Sequence, residues 1–354
     1  MYKLENIKEV HLEMTEVCQA ACPMCPRVNY KGILNPNLKL SELTLDDCKK
    51  IFPPEFVKQL RNIFMCGTFG DAAAAKDTLN VFRYFRECSK TIWLTMFTNG
   101  GLRNKEWWEE LASILGENGD VIFSVDGLRD TNHIYRQNVI WNNVENNMRT
   151  FIGAGGRARW DFLVFEHNEH QIDEAKRFSE ELGFKKITFK KSARFSPSLD
   201  YTRQNVEVVN RKGERILINK PSENYQNSAE KDLNVVKEKY KTVENYNKTV
   251  PIKCKAVQSS SIYISAEGLF LPCCWWHGPM YSNNENEKKT EIWKLIESIG
   301  GKEKLDARQG LDKIFNSGIL DIIKNSWEIN AAGRLNVCSE TCGIDYDPRA
   351  VERL

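Results

Sequence analysis

The side chains best able to do chemistry in this 354-residue chain are its eleven cysteines. Three of them, Cys18, Cys22 and Cys25, stand in the spacing C-x3-C-x2-C directly after the strand-like run Glu9-Val10-His11-Leu12-Glu13-Met14-Thr15. A tetrahedral zinc site or a complete four-iron cluster takes four protein ligands. Three thiolates so close together are therefore expected to hold an iron–sulfur cluster with one iron left open for another ligand. The plain alternative is a zinc knuckle completed by His11 or by a distant cysteine. A second group, Cys254, Cys273, Cys274, Cys338 and Cys342, lies far along the chain.

These cysteines need a frame. Residues 1–195 alternate short β-like runs with amphipathic helical stretches, the signature of βα units and a parallel sheet. The strands fall at Val10–Thr15, Asn62–Cys66, Ile92–Thr98, Val121–Val125, Trp160–Phe165 and Lys186–Lys190. Between them lie helical patterns at Thr44–Ile51, with Thr44 as N-cap, and at Ala73–Cys88, Glu106–Leu115, Trp141–Ala154 and Ile172–Leu182, the last ending at Gly183. Residues 196–250 read as a bridging segment with few buried residues, and 251–354 as a small cysteine-bearing α+β domain with a hairpin at Ser261–Pro272 and a polar loop at Tyr281–Thr290.

Composition narrows the class. Hydrophobic residues make up 41% and charged residues 28%, ordinary for a globular protein, and no apolar run approaches the roughly 20 residues of a membrane span. The N-terminus carries no secretory pattern, so a reducing cytoplasmic setting is expected, where cysteines serve as metal ligands rather than disulfides. Net charge is +2, with no strong nucleic-acid signal.

The segment Cys18-Gln19-Ala20-Ala21-Cys22-Pro23-Met24-Cys25 resembles the cluster motif of the radical S-adenosylmethionine (radical SAM) enzymes, with Met24 where that family usually has an aromatic residue. The resemblance implies a partial (β/α)6 barrel and a [4Fe-4S] cluster whose open iron is chelated by SAM. It further implies reductive cleavage of SAM to a 5′-deoxyadenosyl radical that abstracts hydrogen from a substrate. Cys66-Gly67-Thr68-Phe69-Gly70-Asp71-Ala72 stands where the family has the glycine-rich segment that binds the SAM amino group, so Gly67, Thr68, Gly70 and Asp71 are carried over, with Ala72 in place of the expected proline. By the same resemblance Thr98 and Asn99 after the third strand, and Ser124 and Asp126 after the fourth, would contact SAM. Arg136 would pair with its carboxylate, which a fork of donors suits. The second cysteine group resembles the auxiliary-cluster domain called twitch, the shorter relative of SPASM. That implies a second [4Fe-4S] cluster on Cys254, Cys273, Cys338 and Cys342, with Cys274 spare. A structural zinc site on the same four is the alternative, and sequence alone does not choose between Cys273 and Cys274.

Two further residues are singled out on chemistry. Cys66, at a strand end, could donate a hydrogen atom to a substrate radical or simply fill space. Strand alternation puts Asp161 on the same face as Leu163 and Phe165 on the fifth strand, so it needs a cationic partner or an outward face. Lys190, Lys191 and Arg194 form a basic rim after the sixth strand, and Trp275 and Trp276 adjoin the auxiliary cysteines. The rim and the short N-terminal lead-in favour a small-molecule substrate of sugar, aminocyclitol or nucleotide type over a peptide. A flavodoxin- or ferredoxin-type protein would supply electrons. The reading from another class is a non-enzymatic zinc- or cluster-bearing binding protein.

Overall fold

The computed structural model describes residues 2–28, 32–192, 195, 205–210, 213–282, 290–346 and 352–353. Six parallel strands come from the first half: β1 (Glu9–Leu12), β2 (Asn62–Met65), β3 (Trp93–Thr98), β4 (Gly119–Ser124), β5 (Ala158–Val164) and β6 (Lys186–Lys191), paired in sequence order. Each lies within a few residues of its expected place. A two-stranded antiparallel ribbon follows, β7 (Asn205–Val209) with β8 (Arg215–Asn219).

The sheet extends beyond the six units. Strand β9 (Ser261–Ile264) pairs parallel with β1, and β10 (Phe270–Leu271) pairs antiparallel with β9, forming the expected hairpin. Strand β11 (Glu352–Arg353) pairs antiparallel with β6. The result is an open α/β sheet of nine strands, ordered β10-β9-β1-β2-β3-β4-β5-β6-β11. Both of its edges are two-residue strands, which limits the unpaired backbone offered to other chains.

Local sequence explains the helices. Before the helix Leu45–Ile51, Thr44 and Asp47 form a reciprocal capping box, with bonds of 3.1 and 3.0 Å. The helix Ile172–Leu182 ends at Gly183, whose φ of +88° favours glycine. The stretch expected as one helix from Ala73 to Cys88 divides into a short turn, Ala72–Ala74, and a helix, Thr78–Cys88. Asp71 caps the first part by accepting from the Ala73 amide, and Asp77 accepts from the Leu45 amide instead of continuing the helix.

The pleat separates the two faces of the sheet. On one, Val10, Leu12, Ile63, Met65, Leu94 and Met96 are fully buried under helices, each such side chain stabilising by about 1.5–3 kcal/mol. On the other, His11 stacks on Phe64 at 4.5 Å and meets Tyr263 edge-on at 4.8 Å, while Phe97 packs 6.1 Å from Phe64. These four rings form an aromatic layer inside the curved sheet. The segment 205–250 also adds buried side chains, Val206, Val208, Ile218, Tyr246 and Val250 among them. Among the described residues, no helix is long and apolar enough to cross a membrane. Arg194 and most of the polar loop at 281–290 lie outside the described residues.

Candidate functional site

Leaving β1, the chain turns into the cysteine loop, where the Cys25 amide donates to the Cys22 carbonyl at 3.0 Å. Cys18, Cys22 and Cys25 converge on one cavity of about 170 Å³, whose walls include Cys66, Gly67, Thr68, Gly70, Asp71, Thr98, Asn99, Ser124 and Arg136. Residues from the ends of four strands thus meet at the C-terminal rim of the parallel sheet, where such folds build sites. Met24 is half-buried against the core and is not among the residues lining this cavity.

The glycine turn after β2 is fixed by close backbone approach. A Cβ on Gly70 would stand 1.7 Å from the Thr15 carbonyl oxygen, and one on Gly67 would stand 2.1 Å from that of Gly70. Only glycine lets the turn lie against the cysteine loop in this way. Asp71 then ties the turn to β3, since its Oδ2 accepts from the Asn99 amide at 2.8 Å, Asn99 Nδ2 at 2.6 Å and Thr98 Oγ1 at 3.1 Å. Burial nevertheless pushes the Asp71 carboxyl up. Asn99 in turn reaches Cys18 Sγ at 3.6 Å and accepts from Gln19 Nε2 at 2.6 Å.

Cationic groups face the cysteines. Arg136 Nη1 lies 3.9 Å from Cys22 Sγ while its Nε donates to Asp126 Oδ2 at 2.7 Å. Asp126 is fully buried and its other oxygen accepts from the Leu163 amide, so it acts on the cavity through Arg136 rather than by lining it. Arg27 is 6% exposed, its Nε donates to the Glu16 carbonyl, and its Nη1 is buried without a partner. A cavity with three thiols, an engaged guanidinium and one buried donor left over suits an anionic cluster bearing a carboxylate ligand.

The second cysteine group converges separately. Cys254, Cys273, Cys338 and Cys342 line one pocket with Trp276, Trp327 and Ile323, leaving about 10 Å³ of space. Cys273 faces this pocket, whereas Cys274 opens the helix Cys274–Met280 and acts electrostatically on Cys66 and Tyr263, on the sheet side. Burial pushes the Cys338 thiol up to about 12, and the indole N–H groups of Trp276 and Trp327, which line the same pocket, are buried without a hydrogen-bond partner. Trp275, by contrast, is 38% exposed. Four thiols lining one pocket, with two buried indole N–H groups left unpartnered beside them, fit a tetrathiolate centre.

No family model and no curated protein matches the sequence. Solved structures do. Streptococcus suis SuiB bound to precursor peptide SuiA matches at a TM-score of 0.54 and 16% identity, covering 98% of this chain and 76% of that one. SuiB bound to S-adenosylmethionine matches at 0.50 and 16%, covering 93% and 76%. A histidine-tagged anSMEcpe with bound AdoMet matches at 0.51 and 13%, covering 95% and 86%. This chain shares their fold.

Deeper in the curved sheet, Asp161 has the cationic partner that its position demands, an ion pair with Lys190. Asp161 stands opposite Ser124 in the β4–β5 register, so the pair sits on the cavity's side of the sheet. Lys190 also acts electrostatically on Cys66, whose thiol is pushed up to about 12, mainly by burial. Glu13 has no counterpart among the sequence-derived candidates. Its Oε1 accepts from the Phe69 and Gly70 amides at 2.7 and 3.1 Å, and its Oε2 from Tyr263 Oη, with His277 Nδ1 3.1 Å away. Burial opposes ionisation of Glu13, but its bonds to His277, Tyr263 and Phe69 hold the carboxyl below its usual range. Glu13, Gln19, Arg27, Tyr263 and His277 carry no motif spacing. The one signal in the sequence was a charged residue, Glu13, in a run otherwise destined for burial.

Proposed function

We propose that this chain is a radical SAM enzyme. Cys18, Cys22 and Cys25 would hold a [4Fe-4S] cluster, and SAM would occupy the adjoining cavity. When bound, these groups supply a 5′-deoxyadenosyl radical that takes a hydrogen atom from the substrate. Arg136 keeps positive charge beside Cys22 and would pair with the SAM carboxylate, to which Arg27 Nη1 also offers an unpaired donor. The turn Gly67–Asp71 presents backbone to the SAM amino group, while Thr98, Asn99 and Ser124 line the same space. Cys254, Cys273, Cys338 and Cys342 would hold a second cluster for electron transfer, fed by a flavodoxin- or ferredoxin-type donor. The observation that carries this reading is the convergence of three thiols, a glycine turn and a guanidinium on one cavity at the strand ends.

The Asp161–Lys190 pair favours a small substrate with polar groups, of sugar, aminocyclitol or nucleotide type. Asp161 can accept a substrate proton while Lys190 holds an oxygen. Cys66, neutral at its raised pKa, remains the nearby hydrogen-atom donor. A peptide substrate is the second reading, and the likeness to SuiB with its bound precursor peptide is what supports it.

Anaerobic reconstitution followed by a 5′-deoxyadenosine assay with SAM and dithionite tests the proposal. SAM cleavage with about eight irons per chain is expected. Zinc at both cysteine sites with no cleavage would sink it, and zinc at the second site alone would remove the electron-transfer role.

A further inference from the structure

Behind the cavity wall lies a set of groups that the proposed chemistry does not use. Carboxylate oxygens of Glu16 and Glu267 and a ring nitrogen of His277 all fall within 4.8 Å of one another. Glu16 is 1% exposed and His277 0%, while the Glu267 side chain is 7% exposed. They come from three separate elements: the cysteine loop, the turn between β9 and β10, and the helix Cys274–Met280.

The two nitrogens of His277 are not equivalent. Nδ1 lies 2.7 Å from Tyr263 Oη and 3.1 Å from Glu13 Oε2. Tyr263 has one proton and gives it to Glu13, and an ionised Glu13 has none to give. Nδ1 must therefore carry the hydrogen, which in a neutral imidazole leaves the lone pair on Nε2. Nε2 is buried and has no partner. A histidine that donates one N–H to a carboxylate while its other nitrogen is buried without a partner, in a ring that two further carboxylates approach, has the usual arrangement of a metal-ligating imidazole.

We propose that Glu16, Glu267 and His277 Nε2 bind a divalent first-row cation such as Mn²⁺, with Glu13 and Tyr263 orienting the imidazole. One nitrogen and two carboxylates suit such a cation, whereas thiolate sites prefer softer metals. The ion would pin the cysteine loop to the hairpin and to the helix that follows Cys273. It would do so from outside the cavity, since Phe69, which lines the cavity, packs edge-on against His277 at 4.8 Å. It has competitors: Lys302 Nζ lies 2.7 Å and Lys39 Nζ 3.6 Å from Glu267 Oε2, and Tyr281 donates to Oε1. The Lys39 side chain is exposed and that of Lys302 is 24% exposed, so the cation displaces an ammonium rather than filling an empty carboxylate.

The test uses the full chain, loaded anaerobically with iron and sulfide, titrated with MnCl₂ while free Mn²⁺ is followed by its EPR signal. One equivalent should bind. Glu267→Gln should weaken binding by at least about tenfold. Lys302→Met should tighten it about threefold by removing a partly exposed competitor, a gain that a misfolded variant does not produce. No binding below about 1 mM would overturn the site. Binding unchanged by Glu267→Gln means an adventitious ion only, and weaker binding in Lys302→Met is equally fatal.

Discussion

The two cysteine constellations are built on opposite plans. Around Cys18, Cys22 and Cys25 there is about 170 Å³ of space, bordered by a fourth sulfur, Cys66, and by amides, hydroxyls and guanidinium groups together with Phe69, Phe97 and Tyr135. Around Cys254, Cys273, Cys338 and Cys342 there are four sulfurs, about 10 Å³ and a wall of tryptophan, isoleucine and valine. A metal centre of the first kind can exchange ligands, because it has both room for a guest and polar groups to orient it. A centre of the second kind can only hold charge or hold shape, and its apolar wall sets how readily it does so.

The contrast breaks most easily at the sulfurs. Cys18→Ala, Cys22→Ala and Cys25→Ala together should abolish SAM cleavage yet leave about four irons, whereas Cys338→Ala with Cys342→Ala should leave cleavage measurable and remove the other four. Iron analysis and 5′-deoxyadenosine release check both halves. The next effect concerns Arg136. Arg136→Leu should weaken SAM binding by about 10- to 100-fold, the worth of hydrogen bonds to charged groups. Asp126→Asn should reproduce part of that loss, and the double variant should add little, because Asp126 reaches the cavity through Arg136. Equilibrium binding of SAM in the three proteins decides the matter.

Smaller effects sharpen the second centre. Trp276→Phe and Trp327→Phe remove the two unpartnered indole N–H groups that line the second pocket, so the potential of a cluster held there should fall while SAM cleavage holds, as read by EPR-monitored redox titration. Smallest is a pH effect outside both constellations. His11 Nε2 lies 2.5 Å from the Cys66 carbonyl oxygen and so carries the ring's proton, and burial lowers its pKa from 6.5 to about 4. The unfolded chain therefore binds a proton near pH 6.5 that the folded one refuses until about pH 4. Its contribution is fully present above pH 6.5 and is lost as pH falls towards 4, by ~1–3 kcal/mol. Urea midpoints between pH 7 and 5 should drop less in His11→Gln than in the parent protein.

What could be read in advance follows from distance along the chain. Thr44, Gly183 and the six parallel strands declare themselves within a few residues, through capping chemistry and hydrophobic period. The three-cysteine loop did so too, since its cysteines span eight residues. The pairing of β9 with β1 joins residues some 250 apart, and nothing local in Ser261–Ile264 names its neighbour. That Cys273 rather than Cys274 lines the second pocket depends on where a helix begins, a boundary that sequence leaves uncertain by more than one residue. Glu13 and His277, 264 positions apart, find each other only because that strand pairing has already formed.

That pairing also dictates how the molecule may be cut. β1 donates its backbone to β2 on one side and to β9 on the other. A chain ending before Ser261 would bare a row of unmatched amides and carbonyls along Glu9–Leu12, immediately upstream of the cysteine loop. Such a piece would not be a smaller version of the same protein; it would be a sticky one, prone to recruit a strand from its neighbour.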